Sequence, residues 1–80
     1  MNRVIIDRWN QQAARLLVGR TIKRVGYMSD PEINDLGWSK RALVIELDDG
    51  TLLWPAADDE GNNAGALYTS SENVPILPTI

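Results

Sequence analysis

Hydrophobic and polar positions recur with two different periods along this chain, and each change of period marks a new element. Near the start, Ile6, Trp9, Ala13, Leu16 and Leu17 fall three and four apart, which places them on one face of a helix, while Arg8, Gln11, Gln12 and Arg15 face elsewhere. Gly19 follows as a stop, so residues 1–18 read as an amphipathic helix with Trp9 on its core stripe. From Thr21 to Met28, Ile22, Val25 and Tyr27 suit a strand, yet Ile22 and Val25 are out of phase. A bulge or twist is therefore required, and Gly26 is the natural place for it. Asp30-Pro31-Glu32 has the form of a helix start, with Asp30 as cap, and Gly37 keeps that helix short, near 31–36.

The segment Leu43 to Trp54 carries the clearest signal, because Asp49-Gly50 lies between two β-forming runs. A two-residue turn there predicts Asp48 opposite Thr51, Leu47 opposite Leu52, Glu46 opposite Leu53 and Ile45 opposite Trp54. Leu43, Ile45, Leu47, Leu52 and Trp54 then share a core face, and Val44, Glu46, Asp48, Thr51 and Leu53 share the other. Pro55 supplies no donor, so the chain is expected to leave the ladder there and to return as a strand at Ala66–Thr69. The tail from Asn73 to Ile80 holds two prolines and is extended and apolar, suited to an edge. The expected fold is α+β, an N-terminal amphipathic helix packed on a small antiparallel sheet built around the 43–54 hairpin, in one domain spanning residues 1–80.

Composition narrows the chemistry. There is no Cys and no His among the 80 residues, which excludes disulfides, thiolate nucleophiles, Ser-His-Asp triads and typical zinc sites. No apolar run approaches the roughly 18 residues of a membrane span, and no secretory leader is visible. A soluble cytoplasmic protein, with no membrane partner and no cofactor, is the expectation. Three Trp and two Tyr in so small a domain cannot all be fully buried, and a core this small favours homo-oligomerisation. All eight bases and four of the eleven acids lie in residues 1–41, a local excess of +4, whereas residues 42–80 hold seven acids and no base. Either the halves attract across the fold, or a site has one basic wall and one acidic lip. Duplex nucleic acid is disfavoured by the net charge of −3.

Two segments are candidates for a site. The first, Trp54 to Tyr68, sets Asp58, Asp59, Glu60, Asn62 and Asn63 among glycines and between hydrophobic anchors. The carboxylates suit a hard cation, but aligning Gly61 with the glycine of an EF-hand puts Ala56 and Leu67 where the end ligands are needed, which leaves only a non-standard cation site open. Its glycines also miss the phosphate-loop and dinucleotide spacings, so an anion cradle, a base-reading loop and a plain connection all remain open. The second is Trp38-Ser-Lys-Arg41, where Lys40 and Arg41 suit a phosphate and Trp38 a ring. The plain alternative has Arg41 bridging to an acid of the following loop while Trp38 fills the core. No nucleophile and base pair accompanies the carboxylates, so an enzyme is not expected.

From Gly19 onward the chain resembles small uncharacterised proteins of bacteria and their phages. The likeness rests on Gly37-Trp-Ser-Lys-Arg41, Ile45-Glu-Leu-Asp-Asp-Gly-Thr51, Asp58-Asp-Glu-Gly-Asn-Asn-Ala-Gly-Ala-Leu-Tyr68 and a Leu-Pro ending. It implies a bacterial or phage origin, and host cytoplasm if phage-encoded, but attaches no activity. Small oligomeric phage proteins that sequester nucleotide immune signals are similar in size and style, by analogy alone. The leading expectation is a non-enzymatic protein binding a small polar or nucleotide ligand with Trp38, Lys40, Arg41, Trp54, Asp58, Asp59, Glu60, Asn62 and Asn63. Its alternative is an interaction module that inhibits a host protein through the acidic second half.

Overall fold

Among the described residues five strands form one antiparallel sheet in chain order, each strand pairing with the next along the chain. The computed structural model describes residues 3–56 and 64–80. Helix α1 (Arg3–Leu17) leads into β1 (Ile22–Tyr27), α2 (Asp30–Leu36), β2 (Leu43–Leu47), β3 (Leu52–Pro55), β4 (Leu67–Thr69) and β5 (Ile76–Leu77). The architecture is α+β, with β1 and β5 as edges. Among the described residues no helix is long and apolar enough to cross a membrane.

The β2–β3 register differs by one residue from the sequence expectation. Ile45 faces Leu53 and Glu46 faces Leu52, so the turn holds three residues rather than two. Leu47 donates its N–H to the Thr51 carbonyl at 2.9 Å and accepts from the Gly50 N–H at 3.0 Å. The Asp49 carboxylate accepts from the Thr51 N–H at 3.0 Å, and Gly50 alone takes up the left-handed conformation, at φ 88°. A two-residue mirror-image turn needs positive φ at both central residues, whereas this one needs it only at the glycine. The slip exchanges the faces. Leu53 joins Leu43, Ile45 and Leu47, and Leu52 and Trp54 move to the side of Val44 and Glu46. Burial follows the slipped register: Leu47, Leu53 and the Thr69 that faces Leu53 are buried.

Strand β1 resolves its phase problem two residues earlier than expected. The irregularity lies between Ile22 and Arg24, where two residues oppose one, and not at Gly26. The extra residue brings Ile22, Val25 and Tyr27 onto the face of their partners Leu47, Ile45 and Leu43. Lys23 and Arg24 both reach Glu46, at 3.9 Å and 2.6 Å. Arg20 lies 3.5 Å from Asp49 and 4.0 Å from Asp48, so bases of the first half meet acids of the second across the sheet.

Pro55 does not end the sheet. It faces Leu67, and the next residue, Ala56, still donates to the Ala66 carbonyl at 2.9 Å. The missing proline N–H falls on the β2 side of β3, where pairing stops before it. Helix α2 is capped by Ser29 rather than by Asp30. The Ser29 N–H and hydroxyl donate to the Glu32 carboxylate at 2.9 Å and 2.8 Å, and Glu32 N–H donates to the Ser29 hydroxyl at 3.4 Å. Gly37 closes the helix at φ 71°, with its own N–H on the Asn34 carbonyl.

The buried hydrophobic set among the described residues is small: Met28, Leu47, Leu53 and Ala56.

Ser29→Ala removes the hydroxyl half of the capping box, leaving the backbone N–H of residue 29 on the Glu32 carboxylate, and is expected to lower unfolding free energy by about 1 kcal/mol, read from the urea midpoint. The Ser29 N–H and hydroxyl hold the Glu32 carboxyl below its ordinary pKa. Asp49 is likewise depressed, mainly by the Thr51 N–H, with the Thr51 side chain and the Arg20 charge adding to it. Depressed carboxyl groups stabilise the fold above their unfolded values, about 4, and that stabilisation disappears as the pH falls through the folded values. Melting temperature should therefore drop in that acid window, and the drop should be shallower in Asp49→Asn.

Candidate functional site

The antiparallel order places two long connections at one end of the sheet. Met28 to Ala42, which carries α2, Trp38, Lys40 and Arg41, links β1 to β2 there, and the connection from Ala56 to Ala66 leaves from the same end. The two segments singled out by sequence thus emerge side by side, since β2 and β3 are neighbours. The opposite end holds the turn at Gly50 and the link from β4 to β5. Asp58, Asp59, Glu60, Asn62 and Asn63 lie outside the described residues, so their expected roles rest on sequence.

At the base of the second connection, Trp54 faces Tyr68 across the β3–β4 ladder. Their rings meet edge to face, 6.1 Å apart at 85°, on the side of the sheet opposite buried Leu53. Trp54 is half-buried, but its indole Nε1 is shielded from solvent and has no hydrogen-bond partner among the described residues. An unsatisfied buried donor costs about 1–3 kcal/mol, which makes this N–H an exception that calls for a physical explanation. Trp54 therefore belongs to the ring pair and not to the core face expected from sequence. Tyr68 was absent from the sequence-derived site. Its signal was the ladder itself, which pairs positions 54 and 68 once the strands flanking the loop are aligned.

The basic wall expected at Arg41 is engaged elsewhere. Its guanidinium donates to the Met28 carbonyl at 2.8 Å and forms an ion pair and hydrogen bond with Asp30. Arg41 thus ties the end of β1 to the start of α2, and the acid it bridges precedes it rather than following it. Asp30 is available for that bond because Ser29 has taken over the capping role. Trp38 is half-buried and its backbone N–H donates to the Ile33 carbonyl at 2.9 Å, sealing the end of α2. Lys40 is exposed.

A cavity of about 320 Å³ lies between α1 and the chain entering β5, lined by Arg8, Trp9, Gln12 and residues 73–76. Its size is at the low end for small-molecule sites. Trp9, assigned by periodicity to the helix's core stripe, is half-buried at this cavity. Among the described residues no group of three carboxylates gathers in a way that could hold a metal ion.

Comparison with protein-family models, curated proteins and solved structures finds no match for the chain. The motif likeness from Gly37 to Tyr68 accordingly carries no activity over to it.

Arg41→Ala should destabilise the fold by about 1 kcal/mol, a value discounted for its partial exposure, with Arg41→Lys recovering only part because one ammonium cannot span both acceptors. Urea denaturation of the three proteins measures it.

Proposed function

We propose that the protein is a non-enzymatic binder of a small polar ligand, held where the connections 28–42 and 56–66 emerge together. The observation that supports this reading is the buried indole N–H of Trp54, which has no partner among the described residues and lies on the strand from which the second connection leaves. A ligand oxygen placed there would satisfy that donor, and the Tyr68 ring fixes the indole that presents it. Trp38 and Lys40 border the site from the first connection. Asp58, Asp59, Glu60, Asn62 and Asn63 supply the second with acceptors for hydroxyl and amino groups and with carboxamides for a base edge.

A nucleotide uses each of these groups, and sequestering a nucleotide signal is the biological role in keeping with the phage resemblance. Arg41 serves as support for the site and not as its phosphate clamp. The chain contains no His and no Cys, which leaves the carboxylates without the usual nucleophile or base partner. Inhibition of a host protein through the acidic half is less well supported, because Glu46, Asp48 and Asp49 already face Lys23, Arg24 and Arg20.

Isothermal titration against cyclic dinucleotides and ADP-ribose derivatives should give saturable heat with one of them. Trp54→Phe keeps a ring but removes the donor, and is expected to weaken binding about tenfold while the fold is retained. Uniformly absent heats, or undiminished binding in Trp54→Phe, would contradict the reading.

A further inference from the structure

The cavity between α1 and the chain entering β5 lies at the Gly50 end of the sheet, away from the connections 28–42 and 56–66. Its helix wall follows from spacing. Arg8 and Gln12 are one turn apart on one flank of α1, and Trp9, three residues before Gln12, is the neighbour that completes the wall. The opposite wall is tied in place from within the sheet. Buried Thr69 donates its N–H to the Pro75 carbonyl at 2.9 Å and its hydroxyl to the Val74 carbonyl at 2.5 Å. Ile76 pairs with Tyr68 in the β4–β5 ladder, which fixes the far end of that wall.

We propose that this cavity binds a small aromatic carboxylate, its ring between Trp9 and the Val74-Pro75-Ile76 wall and its carboxylate on Arg8. No acid lines the cavity. Asp7, next to Arg8 in sequence, pairs with Arg3 at 3.7 Å, and Glu72 is not among the lining residues. Among the described residues the Arg8 guanidinium has neither an ion pair nor a hydrogen bond. A guanidinium stays charged at physiological pH, and its planar fork matches the two oxygens of a carboxylate. One guanidinium balances one charge, which favours a carboxylate over a phosphate monoester carrying nearly two. The half-buried Trp9 indole and three apolar residues opposite it suit a flat apolar body. The Gln12 and Asn73 carboxamides at the cavity serve as donors and acceptors for ring substituents. A volume of about 320 Å³ is at the low end for ligand sites and suits a ligand of about one or two rings. Addition of a peptide strand is disfavoured, because β5 has only two residues, Ile76 and Leu77, between two prolines that supply no donor.

Benzoate titrated into the isotope-labelled full chain should shift the Trp9 indole N–H and the amides of Asn73, Val74 and Ile76 in a saturable way, followed by nitrogen–proton correlation NMR. Benzamide, the same ring without the charge, should bind about tenfold more weakly. Arg8→Gln should erase that preference, so that both probes bind weakly and alike. Gln12→Glu sets a carboxylate one turn from Arg8, where it takes the guanidinium itself, and should weaken benzoate to a similar extent. Trp54→Phe should leave benzoate binding unchanged, so this site and the one at the other end of the sheet stand or fall separately. Shifts that fail to saturate or fall elsewhere, equal binding of benzoate and benzamide, or undiminished benzoate binding in either cavity variant would overturn the proposal. Tighter binding of phenyl phosphate than of benzoate would overturn the carboxylate assignment. If one cavity variant does not fold, the other variant and the comparison of benzoate with benzamide decide.

Discussion

The left-handed conformation of Gly50 is the constraint on which the other assignments depend. It allows a three-residue turn, and that turn sets Ile45 opposite Leu53. Because side chains in a strand alternate, a one-residue change of register reverses every inward and outward position beyond it. With this register Leu53 enters the core beside Leu47 and Thr69, and Trp54 turns to the other side to meet Tyr68. The small core and the candidate site therefore have a common origin in one turn.

A second irregularity does for β1 what the turn does for β3. Without the extra residue at Lys23 and Arg24, Ile22 and Val25 would lie on opposite faces, and one of them would project among the Glu46 ion pairs. The bulge sorts the strand into an apolar face and a charged one. Its ion pairs are largely exposed, so each contributes little stability, and their larger effect is to fix which face is which.

Elements were legible in the sequence, and their exact mating was not. A period of 3.6 located the first helix, the Asp30-Pro31-Glu32 start and the Gly37 stop located the second, and Asp49-Gly50 between two β-forming runs located the hairpin. The register was missed because Asp-Gly suits both two- and three-residue turns, and the choice rests on the Asp49 carboxylate taking the Thr51 N–H. The cap was misplaced by one residue because Ser29 and Asp30 are both good caps, and only the reach of Glu32 back to Ser29 separates them. Arg41 read equally well as a ligand group or a bridge. Its partners, Met28 and Asp30, are brought to it by the folding of the whole connection between β1 and β2. The neighbouring exits of the two candidate segments were likewise invisible until strand order was known.

The site reading requires Leu53 to face the core and Trp54 to face away. Proton NMR distinguishes the two registers directly. The structure places Glu46 and Leu52 opposite each other next to the hydrogen-bonded Leu47 and Thr51, so their α-protons should show a strong cross-strand Overhauser contact. A strong contact between the α-protons of Leu47 and Leu52 instead would mean a two-residue turn with Trp54 in the core, and would contradict this account of the fold.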